Sequence, residues 1–337
     1  MFSSCRKDEK IETCESSTNE SSWSGHPYPF DLKAENTSWG VIEIIELSES
    51  KFLIYAGGDY PGSDQFAGMS EFYLTENSGE SWVKVYDCFD CSFSHFRAVD
   101  ENTCFATFHT FGWHSEVRKT SNSGHDWEMA SGVPEYALIF DELNYAYKGF
   151  PNGQITNDGG NTWQDSPNMP NIPYTDLISV YSNTSAYVSN GSYLFHTSDQ
   201  GLNWDSIAPY SYEEFAFINQ NIGFSWEWDY SGQNPEQILW KTQDGGLSWQ
   251  ESFAMESIVN GAKLHFVNEN IGFILAENNT VYKTNNGGQN WELDLDVCWD
   301  KQMGAIGGSE NAMLIGGYVP NSSFKIDMPF YYRSTSF

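Results

Sequence analysis

Residues 268–291 read NENIGFILAENNTVYKTNNGGQNW, and this stretch decides the fold. Its last eight residues follow the pattern Thr-x-(Asp/Asn)-x-Gly-x-x-Trp. The same box stands at 75–82 (TENSGESW), 120–127 (TSNSGHDW), 156–163 (TNDGGNTW), 197–204 (TSDQGLNW) and 242–249 (TQDGGLSW). Successive box tryptophans lie 45, 36, 41, 45 and 42 residues apart. A repeat of this period marks a supersecondary unit that cannot bury its faces alone and must stack on copies of itself.

The residue types explain the box as a tight turn between strands. A short Asp or Asn side chain accepts bonds from backbone N–H groups a few residues on. The Gly takes a positive φ at no steric cost, and Thr and Trp suit the half-buried strands on either side. Asn77, Asn122, Asp158, Asp199, Asp244 and Asn286 are therefore turn formers, and Trp82, Trp127, Trp163, Trp204, Trp249 and Trp291 packing residues. Ahead of each box the text repeats as apolar strand, short turn and second strand, as in KLHFVN, ENIGFILA and NTVYKT before the last box, with WELDLD after it. Four short antiparallel strands every 40–45 residues describe an all-β propeller with the boxes between the third and fourth strands of each blade. Residues 41–337 at about 42 per unit give seven blades, with six blades and extra edge strands as the alternative. The seventh, beginning near Gln302, ends at YYRSTSF without a box, and residues 23–31 are the expected source of its fourth strand.

These boxes resemble the Asp-box, or BNR, repeat of sialidases, sortilin-type receptors and xyloglucan hydrolases. The wider phrase, N-x-x-G-F and then K-T-x-(D/N)-G-G-x-x-W, is most similar to the photosystem II stability/assembly factor-like propellers. The resemblance covers roughly 75–337. It implies a fold and leaves function open, because such propellers serve enzymes, receptors and assembly factors.

Composition narrows the functions. Sixteen Lys and Arg stand against 46 Asp and Glu, a net charge of −30. That balance argues against nucleic acid, whose phosphates need cations to replace their counterions, and disfavours a peripheral site on anionic lipid. No apolar run approaches the ~20 residues that span a bilayer. Residues 1–36, polar and Ser/Thr-rich, read as a flexible leader, and 37–337 as one propeller domain. Within the leader, Phe2-Ser3-Ser4-Cys5 resembles the end of a bacterial lipoprotein signal, with Cys5 the residue to be lipidated, although no basic start or apolar stretch precedes it.

In a propeller the third-to-fourth-strand boxes crowd one face, so binding is expected on the other. The loops of that face carry Tyr60, Trp113, Trp226, Trp228 and Tyr230, aromatic residues beside carboxylates. Trp226 and Trp228 alternate with Glu227, so they share one side of their strand. No catalytic residue is assigned. Arg6, Arg97, Arg118 and Arg333 do not form the arginine triad of a sialidase, and Asp59, Asp64, Glu227 and Asp229 are too few among 46 acids to single out as a glycosidase pair. No metal or cofactor is expected; His109 and His114 near Cys104 read as surface residues, and Cys88 and Cys91 as two thiols or one short disulfide. The expectation is a non-enzymatic platform for a protein or glycan, in the bacterial cell envelope or secreted, with a basic partner favoured by the acidity. The alternative is a glycoside hydrolase or carbohydrate-binding protein of the Asp-box superfamily.

Overall fold

The computed structural model describes residues 23–27, 39–59, 68–110, 114–134, 137–148, 153–166, 169–170, 178–209, 214–229, 236–255, 263–276, 280–296, 302–309, 312–319 and 329–334. Among them there is no helix. The strands form four-stranded antiparallel units, each running from an innermost strand outward. Unit 1 is Trp39–Ser48, Lys51–Asp59, Gly68–Thr75 and Val83–Phe89. Unit 2 is Cys91–Ala98, Cys104–Thr110, His114–Thr120 and Glu128–Met129. Unit 3 is Leu138–Ile139, Tyr145–Lys148, Gly153–Thr156 and Gln164–Ser166. Unit 4 is Ile178–Val180, Ala186–Ser189, Tyr193–Thr197 and Asp205–Pro209. Unit 5 is Glu214–Phe217, Gly223–Asp229, Glu236–Thr242 and Gln250–Met255. Unit 6 is Lys263–Phe266, Gly272–Leu275, Thr280–Thr284 and Glu292–Asp296.

The last set of strands corrects the expectation of seven separate blades: the described strands form six sheets. Five hold one unit each, and the sixth has eight strands. In it Gln302–Gly308, Ala312–Val319 and Pro329–Ser334 pair in turn, and Trp23–Pro27 adds to the outer edge, from Trp23 opposite Arg333 to Pro27 opposite Pro329. These four strands, unit 7, fuse with unit 1 through two residue pairs, Trp39 with Val319 and Gly40 with Tyr318. Glycine makes the fusion sterically feasible. A Cβ on Gly316 would lie 2.5 Å from Val41 Cβ, and one on Gly307 would lie 2.9 Å from Ile44 Cγ2. The backbones therefore approach closely enough to share a ladder where the ring closes.

Apolar clusters join each unit to the next. Leu53, Tyr55 and Phe72 of unit 1 meet Phe93, Ala106 and Phe108 of unit 2. Phe105 and Val117 meet Ile139 and Tyr145; Leu138, Phe140 and Ala146 meet Ala186 and Val188; Tyr187 and Leu194 meet Phe215 and Phe217. Phe224, Trp226 and Leu239 meet Ile274 and Ala276. Phe273, Leu275 and Val281 then meet Met303, Ile306, Met313 and Ile315, and Ala305, Ala312 and Leu314 return to Val41, Ile44 and Phe52 of unit 1. The box tryptophan of each unit inserts between its own sheet and the preceding one. Trp127 packs with unit 1, Trp163 with unit 2, Trp204 with unit 3, Trp249 with unit 4, Trp291 with unit 5 and Trp82 with unit 7.

The boxes are one hydrogen-bonded device used six times. Each buried Thr hydroxyl donates to Oδ1 of the Asp or Asn two residues on, at 2.8–3.0 Å. It accepts the N–H of that residue and, at 2.8–3.1 Å, the N–H of the Gly four residues on. One donor and two lone pairs are thus all used. The same Oδ1 accepts the N–H of the seventh box residue at 2.8–3.0 Å. The fourth and fifth residues take φ of 58–71° and 80–94°. The fourth donates its N–H to the turn between the first two strands of the same unit, at 2.8–3.0 Å. The fifth must be Gly twice over, for its φ and because a Cβ at Gly124, Gly201 or Gly288 would lie 2.8–2.9 Å from Leu53, Ala146 or Phe224 of the preceding unit.

Candidate functional site

The face opposite the boxes is formed by the ends of second strands, the starts of third strands and the links between units. Of the residues expected there, Tyr60, Trp113 and Tyr230 lie outside the described residues. Trp228 is in a strand, its backbone opposite Gln237, and its side chain is outside the description. Trp226 corrects the reading. It is 5% exposed and packs with Phe224, Leu239, Ile274, Ala276 and Trp291 between units 5 and 6. Its ring holds two sheets together and is not open to a ligand. Strand alternation gave the right parity and the wrong conclusion, because the shared side of Trp226 faces the neighbouring sheet.

At unit 2 this face carries His109, read from the sequence as a surface residue, together with Ser94, His95 and Ser115, which the sequence did not single out. Ser115 Oγ lies 2.8 Å from His109 Nδ1, His109 Nε2 lies 2.8 Å from Ser94 Oγ, and Ser94 Oγ lies 2.8 Å from His95 Nδ1. His95 has a φ of 53° beside the register shift between Ser94 and Arg97. The pattern S-x-S-H on an inner strand was the available signal. The chain of hydroxyls and imidazoles makes a hydrogen-bonding surface. Cys104 is on the opposite side of the His109 strand, buried, and burial pushes its thiol up to about 12, which keeps it unreactive. Cys88 and Cys91 are joined as a disulfide at the link from unit 1 to unit 2. Among the described residues no group of three His, Cys, Asp or Glu side chains could hold a metal ion.

Inner strands put charged groups along the axis of the ring. Lys263 of unit 6 passes unit 7 and donates to the Ile42 carbonyl of unit 1 at 3.5 Å. Arg97 of unit 2 passes unit 3 and donates to Asn183 of unit 4 at 3.1 Å. The rest of its guanidinium is spent on the carbonyls of Ala98, Ile139 and Phe140. Arg118 is bound to Glu116 and stacked 3.5 Å from the Phe108 ring centroid. Neither arginine is free to grip a substrate carboxylate. Glu43 and Glu46 keep water-accessible surface yet are ringed by protein, and loss of bulk solvation raises both carboxyls above their usual range. For Glu46 the neighbouring Glu49 charge adds to the effect, and the value reaches about 7.

The same course of strands occurs in solved structures. A YCF48 protein bound to a D1 peptide matches over 95% of this chain and 97% of its own, with a TM-score of 0.58 at 13% identity. The chain shares the propeller fold of YCF48. YCF48 from Cyanidioschyzon merolae matches over 93% of this chain and 98% of its own, with a TM-score of 0.55 at 14% identity. The GH74 xyloglucanase from Xanthomonas campestris matches over 93% of this chain and 54% of its own, with a TM-score of 0.55 at 12% identity. No family model and no curated protein matches the sequence. At these identities the likeness is one of fold.

Proposed function

We propose that the protein is a non-enzymatic propeller of the bacterial cell envelope, tethered through a lipidated Cys5, that holds a protein partner bearing a basic segment. One observation carries this reading: every Lys and Arg whose side chain is described is engaged within the chain. Lys51 pairs with Glu76, Lys84 with Glu71 and Asp87, Arg118 with Glu116 and Lys119 with Glu142. Arg97, Lys241 and Lys263 donate to carbonyls, and Lys283 lies over Phe273. A net charge of −30 is therefore left for a partner of opposite sign to meet. The YCF48 neighbour with its bound peptide supports a protein partner. In this reading the platform counts seven units, the eight-stranded sheet supplying two, and Trp228 and Tyr230 contribute its aromatic contacts.

The test is affinity capture from envelope extract followed by elution on a salt gradient. A partner with a basic segment is expected to leave as ionic strength rises, and Trp228→Ala with Tyr230→Ala is expected to weaken capture without moving Tm. The GH74 neighbour favours a second reading, turnover or binding of a polysaccharide. Release of reducing sugar from a polysaccharide panel would replace the first reading with that one.

A further inference from the structure

The end of the ring that carries the boxes also holds a cleft. Between units 3 and 4 a cleft of about 140 Å³ is lined by Ile155, Asn157, Thr162 and Gln164 on one side and by Gln200 and Leu202 on the other. Asn144 completes the lining, and in a chain of net charge −30 the cleft has no ionisable side chain in its wall.

Its amides are prepared for a ligand. Asp141 accepts from Nδ2 of Asn144 at 2.6–2.8 Å and from Nε2 of Gln200 at 2.8 Å. Gln200 Nε2 also donates to the Asn183 carbonyl at 3.0 Å. Both side chains are therefore fixed by their NH₂ ends, with the carbonyl oxygens left as acceptors. The exposed side chains of Asn157 and Gln164 have no partner among the described residues and offer donors as well as acceptors. Leu202 in the wall is 53% exposed, and Leu143, beside Asn144, is 54% exposed. Aliphatic side chains bared to this extent next to unpaired amides match an occupant that is apolar in one place and hydrogen-bonding along its length. No aromatic ring lines the cleft, so a sugar would find no stacking platform.

We propose that this cleft binds an uncharged, extended polypeptide segment of the partner. Backbone N–H groups of the segment would meet the Asn144 and Gln200 oxygens, its carbonyls would meet Asn157 and Gln164, and an aliphatic side chain would cover Leu202. Two-point pairing of amide with amide supplies register, and fixing Asn144 and Gln200 in advance lowers the ordering cost of binding. This inference rests on the reading of the protein as a protein-binding platform, and it adds a contact that salt does not govern.

The experiment pans a phage-displayed library of short peptides without Asp, Glu, Lys or Arg against the whole protein at high salt. Gln164→Ala and Asn157→Trp test the cleft; both positions are exposed, so the variants keep the fold. Enriched peptides are expected to be extended and aliphatic-containing, to keep their affinity as salt rises, and to lose at least about tenfold in both variants. Peptides that bind the variants as well as the parent would overturn the proposal, as would displacement of the peptides by a neutral xyloglucan oligosaccharide. Failure to capture a basic partner from envelope extract, with peptide binding intact, would instead overturn the electrostatic part of the platform reading alone.

Discussion

The junction between units 5 and 6 and the junction between units 6 and 7 solve one problem with different materials. In the first, Trp291 lies 6.0 Å from the Phe266 ring and 6.2 Å from the Phe253 ring, beneath a box that locks its backbone. The second has no box. Met303, Ile306, Met313 and Ile315 fill the space against Phe273, Leu275 and Val281, and the outer strand of unit 7 comes from the other end of the sequence. The packing of both junctions comes from neighbouring stretches, 218–291 and 267–315, whereas the outer strand of unit 7 and its junction with unit 1 depend on segments hundreds of positions apart. Box junctions should tolerate distant changes, and the closure should not.

The largest effect expected from this contrast comes from removing residues 1–28. The edge of the Pro329–Ser334 strand then loses its partner. Exposed edges pair with other chains, so loss of a single cooperative melting transition, with aggregation, is expected. A sharp transition at an unchanged Tm would show that the closing strand is dispensable. Next are the box tryptophans. Trp127 and Trp204, 7% and 8% exposed, should each cost about 3–5 kcal/mol when cut to Ala. The half-buried Trp82, which packs on the box-less unit 7, should cost less. Equal losses in denaturant melts at all three positions would erase the distinction between junctions.

Glu46 offers a pH probe on the inner strand of unit 1, the strand that meets unit 7. Its folded-state value of about 7 exceeds the usual 4.5, so the folded protein holds a proton that the unfolded chain releases. Stability from this group is present below pH 4.5 and is lost as pH rises to about 7. Glu46→Gln should flatten that decline. An unchanged pH profile of Tm would show that the carboxylate is fully solvated. The smallest effect belongs to the boxes themselves. Ser78 and Ser123 hold φ of 58° where three other boxes have Gly. Ser78→Gly relieves a left-handed cost of roughly 1–2 kcal/mol and adds unfolded-state entropy of about 0.5–1 kcal/mol. A net gain of about 0.5–1 kcal/mol is expected by chemical denaturation, and a loss would mean that the serine side chain stabilises the turn.

Much of this architecture was legible because the box writes its own geometry. Thr, Asp or Asn, and Gly each answer to a bond or a φ within eight residues, so six copies in the text became six equivalent turns. Sheet count was not legible in the same way. The fusion of units 1 and 7 depends on Gly316 lying against Val41, a proximity that no local pattern announces. Trp226 was misplaced for a related reason: W-E-W fixes which residues share a side but not which side faces the neighbouring sheet. The cleft between units 3 and 4 went unseen because Asn157, Thr162 and Gln200 belong to boxes already explained as turns. What sets Gln200 apart is its bond to Asp141, 59 positions away.

Each box tryptophan reaches back to the unit before it, and that direction has a consequence for synthesis. As the chain leaves the ribosome, every new unit brings with it the side chain that seals the one already made. Unit 2 can dock on unit 1 as soon as Trp127 emerges, and so on around the ring. The first unit is the exception, since Trp82 has nothing to seal until unit 7 arrives. Residues 23–27, made about 300 positions earlier, find their partner strand only with residues 329–333. Until residues 329–333 are made, units 1 to 6 form an open arc of sheets whose ends have yet to meet.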